Sequence, residues 1–496
     1  MTASTITGAA DLVQEALEVY RDDPAAVAAL QGYAKRLAEP LRIAVAGMVK
    51  AGKSTLLNAI LGEEIAPTDT GECTRIVTWY RYGLTPRITL YPVEGEPRSL
   101  PVKRVDGRLV FVLGDLQADE VDRLDVEWPS PGLRDMTLID TPGIASLSGD
   151  VSARSTSFLT PEDTPSEADA IIYLMRHMHA SDMRFLESFK DTEAGRSGTV
   201  NALAVLSRAD EVGAGRIDSL LSAGEIAERY RRDHSLRKLA LGVVPVAGLL
   251  AQSARSLRQS DFEALQLLAA MERAEREKLL LSADRFLQVA GPEDLTTAAR
   301  ASLLERFGLF GIRLAVVLIR NGFAEPTPLA HELARRSGLD PLIDMLGRQF
   351  QARAEALKAR TALVGVETLL RTSPRDGTGH LAAALERLQV NAHEFRELRL
   401  LATLRTTGVS LDPELASEAE GLIGGWGAAS HVRLGLEADA GPDLLAAEAR
   451  RCLERWRAVA ENPITDRSAL DACRVVIRSC EGIVAQCAVQ LARQPA

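Results

Sequence analysis

Residues 41–62, LRIAVAGMVKAGKSTLLNAILG, constrain the fold more than any other stretch. A continuous apolar run leads into a glycine-bounded loop. Leu56, Leu57, Ile60 and Leu61 then recur at helical spacing, so the stretch reads strand, loop, helix. Gly47 together with Gly52, Lys53 and Ser54 fits G-x-x-x-x-G-K-[ST], the phosphate-cradling P-loop. Gly47 lets the chain turn tightly, and a side chain at Gly52 would obstruct a close approach of backbone to phosphate. The amides of Lys50, Ala51, Gly52, Lys53, Ser54 and Thr55 are expected to face a β-phosphate from the start of a helix, where no intrahelical acceptor competes for them. Lys53 supplies a point charge to the β- and γ-phosphates, and Ser54 supplies an oxygen to Mg²⁺.

The chain is long enough, at 496 residues, for further domains with cores of their own. Its net charge of −10 argues against a chain-wide nucleic-acid surface. The five cysteines form no CxxC pair. Cys473, Cys480 and Cys487 recur at intervals of seven, which predicts packed thiols along one helical stripe rather than a metal site. No basic leader with an apolar core opens the sequence, and no apolar run reaches the length of a membrane span. The nearest, 309–319, is interrupted by Arg313. These features predict a cytoplasmic chain.

Residues 1–39 carry an apolar helical pattern that needs a partner, and helices from later in the chain are the expected one. After the P-loop helix, a threonine-rich loop precedes the run Ile76-Val77-Thr78-Trp79. P-loop GTPases commonly place a mobile loop here whose threonine closes on Mg²⁺. Thr74 is the preferred candidate, with Thr68 and Thr70 as alternatives. Short alternating segments over 87–113 predict strands and hairpins, and 118–124 a short helix. The stretch MTLIDTPG ends a buried strand at Asp140, placed to hold Mg²⁺ through water, and the Gly143 amide is placed to touch a γ-phosphate. A further strand at 170–174 precedes His177 and His179, which read as loop residues. Another at 202–206 ends in Ser207-Arg208-Ala209-Asp210.

That last motif is similar to the guanine-reading Asn-Lys-x-Asp of GTPases. An aspartate carboxylate accepts from the N1–H and exocyclic amine of guanine, which adenine does not offer, and Arg208 can lie along the purine face. Ser207 stands where asparagine is usual. A final strand, 241–246, leads to Ala247, whose amide is expected at guanine O6. The strands, with helices between them, predict an α/β P-loop GTPase domain, doubly wound on a mostly parallel sheet, over 40–250. From 251 to 496 the pattern is helical, predicting a large all-α bundle or stalk, with a break and a candidate hinge at 421–427, GLIGGWG. Within it, 346–370 and 381–404 read as single helices, and Asp443 and Asp466 as caps.

The order GMVKAGKST, ECTR, DTPG, SRAD and PVAG, followed by a helical half, resembles the bacterial dynamin-like GTPases. Within them it is most similar to the isoniazid-inducible proteins of mycobacteria, and among these to the kind without a membrane span. LAEPLRIAVAG, EEIAPTD, TRIVTW, SRADEVGAGRID and ERFGLFGIR carry that likeness, strongly to about residue 330. The resemblance places the family's P-loop lysine and serine on Lys53 and Ser54, its switch threonine on Thr74, and its magnesium-side and base-reading aspartates on Asp140 and Asp210.

It implies GTP hydrolysis with Mg²⁺, a homodimer through the GTPase domain, helical-arm movement, and membrane remodelling from the inner face of the plasma membrane. A membrane-anchored sibling is an implied hetero-oligomeric partner. A GTP-binding scaffold with negligible hydrolysis is the alternative, because Val49 occupies a position where eukaryotic dynamins place a water-positioning glutamine. An ATPase is a third reading. The segment 307–323 fits either lipid contact or a core helix.

Overall fold

A computed structural model describes residues 5–67, 75–105, 107–143, 159, 166–189, 201–289, 291–292 and 294–493. Eleven strands are present among them: β1 (Leu41–Gly47), β2 (Val77–Tyr82), β3 (Arg87–Pro92), β4 (Arg98–Leu100), β5 (Lys103–Val105), β6 (Arg108–Val110), β7 (Val121–Trp128), β8 (Met136–Asp140), β9 (Ala170–Met175), β10 (Ala202–Ser207) and β11 (Val243–Val246). Nine of them form one sheet in the order β11-β10-β9-β1-β8-β2-β7-β3-β4, and β5 and β6 pair as a separate ribbon. The five strands from β11 to β8 run parallel, whereas β2 is antiparallel to β8 and begins a mixed extension. The stretch 118–124, expected as a helix, enters β7 instead. Its burial alternates through Leu124, Val126 and Trp128, a period of two that becomes visible only beyond Leu124.

Every residue of β1 is buried because helices cover both faces of the sheet. Leu41, Ile43 and Val45 point into one core, and Ala44 and Ala46 into the other. The first core continues into the N-terminal helices and into helical residues from Leu339 to Cys480. The second continues through the helices between Gly248 and Arg336. The two ends of the chain thus meet on one face. Helices Thr5–Val19 and Pro24–Ala38 pack on Ala354–Thr372, and the second is capped by Asp23, whose carboxylate accepts from the amides of Ala25 and Ala26. Arg36 joins this layer to the sheet through Asp169, 2.7 Å away and buried with it.

Helix Thr297–Arg320 decides between the two readings of 307–323. Phe307, Phe310, Ile312 and Leu314 are buried in the second core, and Arg313 donates to the carbonyls of Leu280 and Gly215. It is a core helix. The single helices expected at 346–370 and 381–404 are each broken. A 3-10 turn at Gln351–Arg353 interrupts the first, and the extended backbone of Ala392 the second. Asp466 caps its helix through the Ala469 amide, but Gly441 rather than Asp443 precedes helix Pro442–Glu461.

The expected break at 421–427 is present and closely packed. Gly424 has φ +85°, Arg353 donates to the Ile423 and Gly424 carbonyls, and Gln349 donates to that of Gly425. The last helix, Arg467–Arg493, corrects the membrane-span expectation. Its stretch Arg467–Ala492 is long and apolar enough to cross a membrane by length and composition, because Val, Ile, Ala and Cys are interspersed with few charges. In the fold, Cys473, Val476 and Cys480 sit in the first core, and Cys487 in a small cluster with Ala446, Ala449 and Ile483.

Candidate functional site

The P-loop lies between β1 and helix Lys53–Leu61. Gly47 has φ +150°, and a Cβ there would stand 2.4 Å from the Leu174 carbonyl oxygen. Its glycine is therefore demanded by contact with β9 as well as by the turn. Gly52, at φ +96°, precedes the helix and faces open space. Lys50 adopts a left-handed φ of +62°, an unusual strain for a side-chain-bearing residue. The Ala51 amide does not face outward. It closes a turn on the Met48 carbonyl at 3.1 Å, so Ala51 contributes as cavity lining.

Lys53, Ser54 and Asp140 converge. Lys53 Nζ donates to the carbonyls of Gly47 and Met48 at 3.2 and 3.4 Å, and Ser54 Oγ donates to Asp140 Oδ2 at 3.0 Å. Burial lowers the Lys53 pKa, with the Asp140 charge opposing it. Burial also pushes the Asp140 carboxyl up to about 6, against the pull of Lys53 and the Ser54 hydroxyl. Among the described residues, Asp140 Oδ1 is buried without a hydrogen-bond partner. A carboxylate oxygen left over beside a serine hydroxyl fits a hydrated Mg²⁺, which binds hard oxygen donors and keeps several waters.

Gly143 packs on Val49, where an added Cβ would lie 2.7 Å from Val49 Cγ2 and 2.9 Å from its Cα. Val49 is 44 % exposed. Thr74, with Thr68 and Thr70, lies outside the described residues.

Beside the P-loop, a cavity of about 200 Å³ is lined by Gly52, Thr55, Ser207, Arg208, Asp210 and Gly248, among others. Asp210 and the P-loop thus border one space. Burial raises the Asp210 pKa. Arg208, with φ +53°, donates to the Lys50 carbonyl at 3.0 Å and pairs with Glu211 at 2.6 Å, joining the SRAD turn to the P-loop. Ser207 Oγ donates to the Met175 carbonyl, so this short side chain links β10 to β9. Ala247 departs from expectation. It is fully buried, and its amide donates to the Ser337 carbonyl at 2.8 Å, leaving Gly248 as the residue that lines the cavity. Val246, Gly248 and Leu249 were not read as lining from sequence, although the glycine after a strand end was the available signal. His177 and His179 are exposed, and among the described residues no group of three His, Cys, Asp or Glu could hold a metal.

Residues 43–206 match the dynamin family. The isoniazid-induced protein IniC of Mycobacterium tuberculosis H37Rv is 40 % identical over 481 residues, which span 96 % of this chain and 97 % of IniC. A bacterial dynamin-like protein of Nostoc punctiforme is 27 % identical over 212 residues, 40 % of this chain and 28 % of that protein. A solved structure of an oligomerised bacterial dynamin pair aligns with 98 % of this chain and 75 % of its own, at 14 % identity and a TM-score of 0.29.

Proposed function

The chain belongs to the dynamin family of GTPases, and we propose that it hydrolyses GTP to GDP and phosphate and couples this cycle to dimerisation and helical-arm movement at a membrane. The observation that carries the reading is the meeting of Lys53, Ser54 and Asp140 at the P-loop with the Asp210 cavity beside them. In this reading Asp210 accepts from the guanine N1–H and amine, and Arg208 lies on the purine face while bonded to the P-loop. The amides of Lys53, Ser54 and Thr55 open toward the β-phosphate, and Lys53 leaves the Gly47 and Met48 carbonyls for phosphate oxygens. Gly143 senses the γ-phosphate.

Ser54, Thr74 and, through water, Asp140 would hold Mg²⁺, which when bound neutralises charge on the β- and γ-phosphates. We assign residues 40–250 to the GTPase domain, 251–496 to the arm, and 1–39 to a segment that joins the arm. Peripheral membrane contact at the inner face of the plasma membrane belongs to the same reading, as does hetero-oligomerisation with a membrane-anchored sibling.

A second reading, a GTP-binding scaffold with negligible turnover, is favoured by Val49. Its side chain is unable to hydrogen-bond an attacking water and packs on Gly143. Phosphate release from GTP, measured over a range of protein concentrations with and without liposomes, separates the two. Turnover that climbs with concentration or lipid and vanishes in Lys53→Ala is the expected result. Tight GTP binding without turnover would establish the scaffold.

A further inference from the structure

We propose that Gly338 is a positioning residue for the nucleotide base, acting through the Ser337 carbonyl and the Ala247 amide. The inference rests on the guanine reading of the Asp210 cavity. The helical half passes from one face of the sheet to the other between Leu333 and Leu339. Beyond Ala251, which reaches the first core, the helical residues of the two cores lie in the second as far as Leu333 and in the first from Leu339 to Cys480. Between them, Ser337 and Gly338 pass the edge of the sheet, where β11, among the described residues, has β10 as its strand neighbour on one side only. An edge strand needs such cover for its unpaired backbone groups.

The geometry of the crossing is fixed on every side. Ser337 is buried. Its amide donates to Leu333 and Ala334 carbonyls, its hydroxyl donates to the Ala334 carbonyl at 2.6 Å, and the same hydroxyl accepts from the Leu339 amide at 3.2 Å. Its carbonyl oxygen is thereby aimed at Ala247, whose amide it receives at 2.8 Å. Gly338 makes this approach possible. Its φ is +83°, and an added Cβ would stand 2.1 Å from the Pro245 carbonyl oxygen and 3.4 Å from Val246 Cα. No flexible side chain is available to move aside, because the obstacle is strand backbone.

What the brace holds is the wall of the cavity. Val246 and Gly248 flank Ala247 and both line the space that Asp210 borders. With the Ala247 amide engaged, the next amide is that of Gly248, the first residue of helix Gly248–Arg255, which has no intrahelical acceptor. That amide is the donor left for a base carbonyl. The crossing point of the arm therefore sets where guanine O6 is met.

The test uses the full chain and two probes, GDP and 6-thio-GDP, which keeps N1–H and the amine but replaces O6 with a poorer acceptor. The unaltered chain is expected to bind GDP about tenfold more tightly than the thio analogue. Gly338→Ala is expected to lose about tenfold in GDP affinity and little for the analogue, so the ratio collapses. Gly408→Ala places the same strain on a φ of +76° with open space around it, and is expected to leave both affinities unchanged. Equal losses for both probes in Gly338→Ala would overturn the proposal, because a general loss of structure does not distinguish O6.

A second measurement needs no variant. Hydrogen exchange at 335–340 is expected to slow with GDP more than with 6-thio-GDP, and an unchanged rate there with GDP would also overturn it. If the unaltered chain binds ADP as tightly as GDP, the guanine reading itself has failed, independently of the brace.

Discussion

Ser54 Oγ donates to Asp140 Oδ2 at 3.0 Å, joining the first turn of the P-loop helix to the end of β8. Among the described residues Asp140 Oδ1 is buried without a partner, and burial pushes the carboxyl up to about 6 against the pull of Lys53 and Ser54. A raised carboxyl means that the folded chain prefers the protonated form. This contribution to stability is fully present below the ordinary value of 3.8 and is lost as pH rises through about 6. At pH 7.5 the ligand-free chain therefore carries a charge costing on the order of 3 kcal/mol. Asp140→Asn is predicted to raise the ligand-free melting temperature at pH 7.5 by a few degrees, with roughly half of that gain at pH 5 and little below 3.8. The same change should abolish the extra stabilisation that Mg²⁺ adds to GDP. A lower melting temperature at pH 7.5 would show that the carboxylate is compensated by some other group.

In the guanine reading, Asp210, which borders the cavity, sets the base preference. Asparagine offers one donor and one acceptor in place of two acceptors, which suits xanthine, with a carbonyl where guanine has its amine. Asp210→Asn is predicted to weaken GDP binding by about 10- to 100-fold, the loss of a charge-assisted pair, and to strengthen XDP binding. Calorimetric titration of both nucleotides checks this. Unchanged GDP affinity would remove Asp210 from the base site.

Val49 is half-exposed and lies against Gly143, so a longer polar side chain there has room on its outer side. Val49→Gln is predicted to raise kcat by about tenfold, less than the roughly 10²- to 10⁴-fold of a fully positioned general acid or base. KM should change little. Steady-state phosphate release measures both, and a constant kcat would mean that water is placed by another group or by a partner subunit.

The sequence made the P-loop, the strand ending at Asp140 and the SRAD turn legible because each is local. A handful of adjacent residues fixes both the backbone and the chemistry. The mostly parallel sheet and the helical half were legible from period alone. The brace at Ala247 was not, since its acceptor, Ser337, lies ninety residues away and presents only a backbone carbonyl. The break at Gln351–Arg353 was also hidden. Its turn is composed of residues that tolerate a helix, and tertiary contact, with Phe350 fully buried and Arg353 donating to Gly424, decides against one. The stretch 118–124 reads as a helix because the alternation that defines β7 begins only at Leu124.

Glu397 gives the arm its own acid sensitivity. Burial works to push its carboxyl up, but the His393 and Arg433 side chains more than offset this and hold it at about 2. Arg433 reaches both carboxylate oxygens, at 2.6 and 3.1 Å, and Ser479 donates at 2.7 Å. A depressed carboxyl contributes stability that is present above the unfolded value of 4.5 and lost as pH falls through about 2. Glu397→Gln keeps the shape and removes the charge, leaving Arg433 without its counter-ion. The predicted cost is roughly 3 kcal/mol at pH 7, shrinking as pH falls from 4.5 toward 2. Chemical denaturation across that range measures it. Because Glu397 touches none of the P-loop or SRAD residues, GDP affinity should stay within about twofold, the scatter expected for distant, additive sites. A cost that does not shrink in acid would mean that packing around the glutamine, rather than the lost charge, causes the destabilisation.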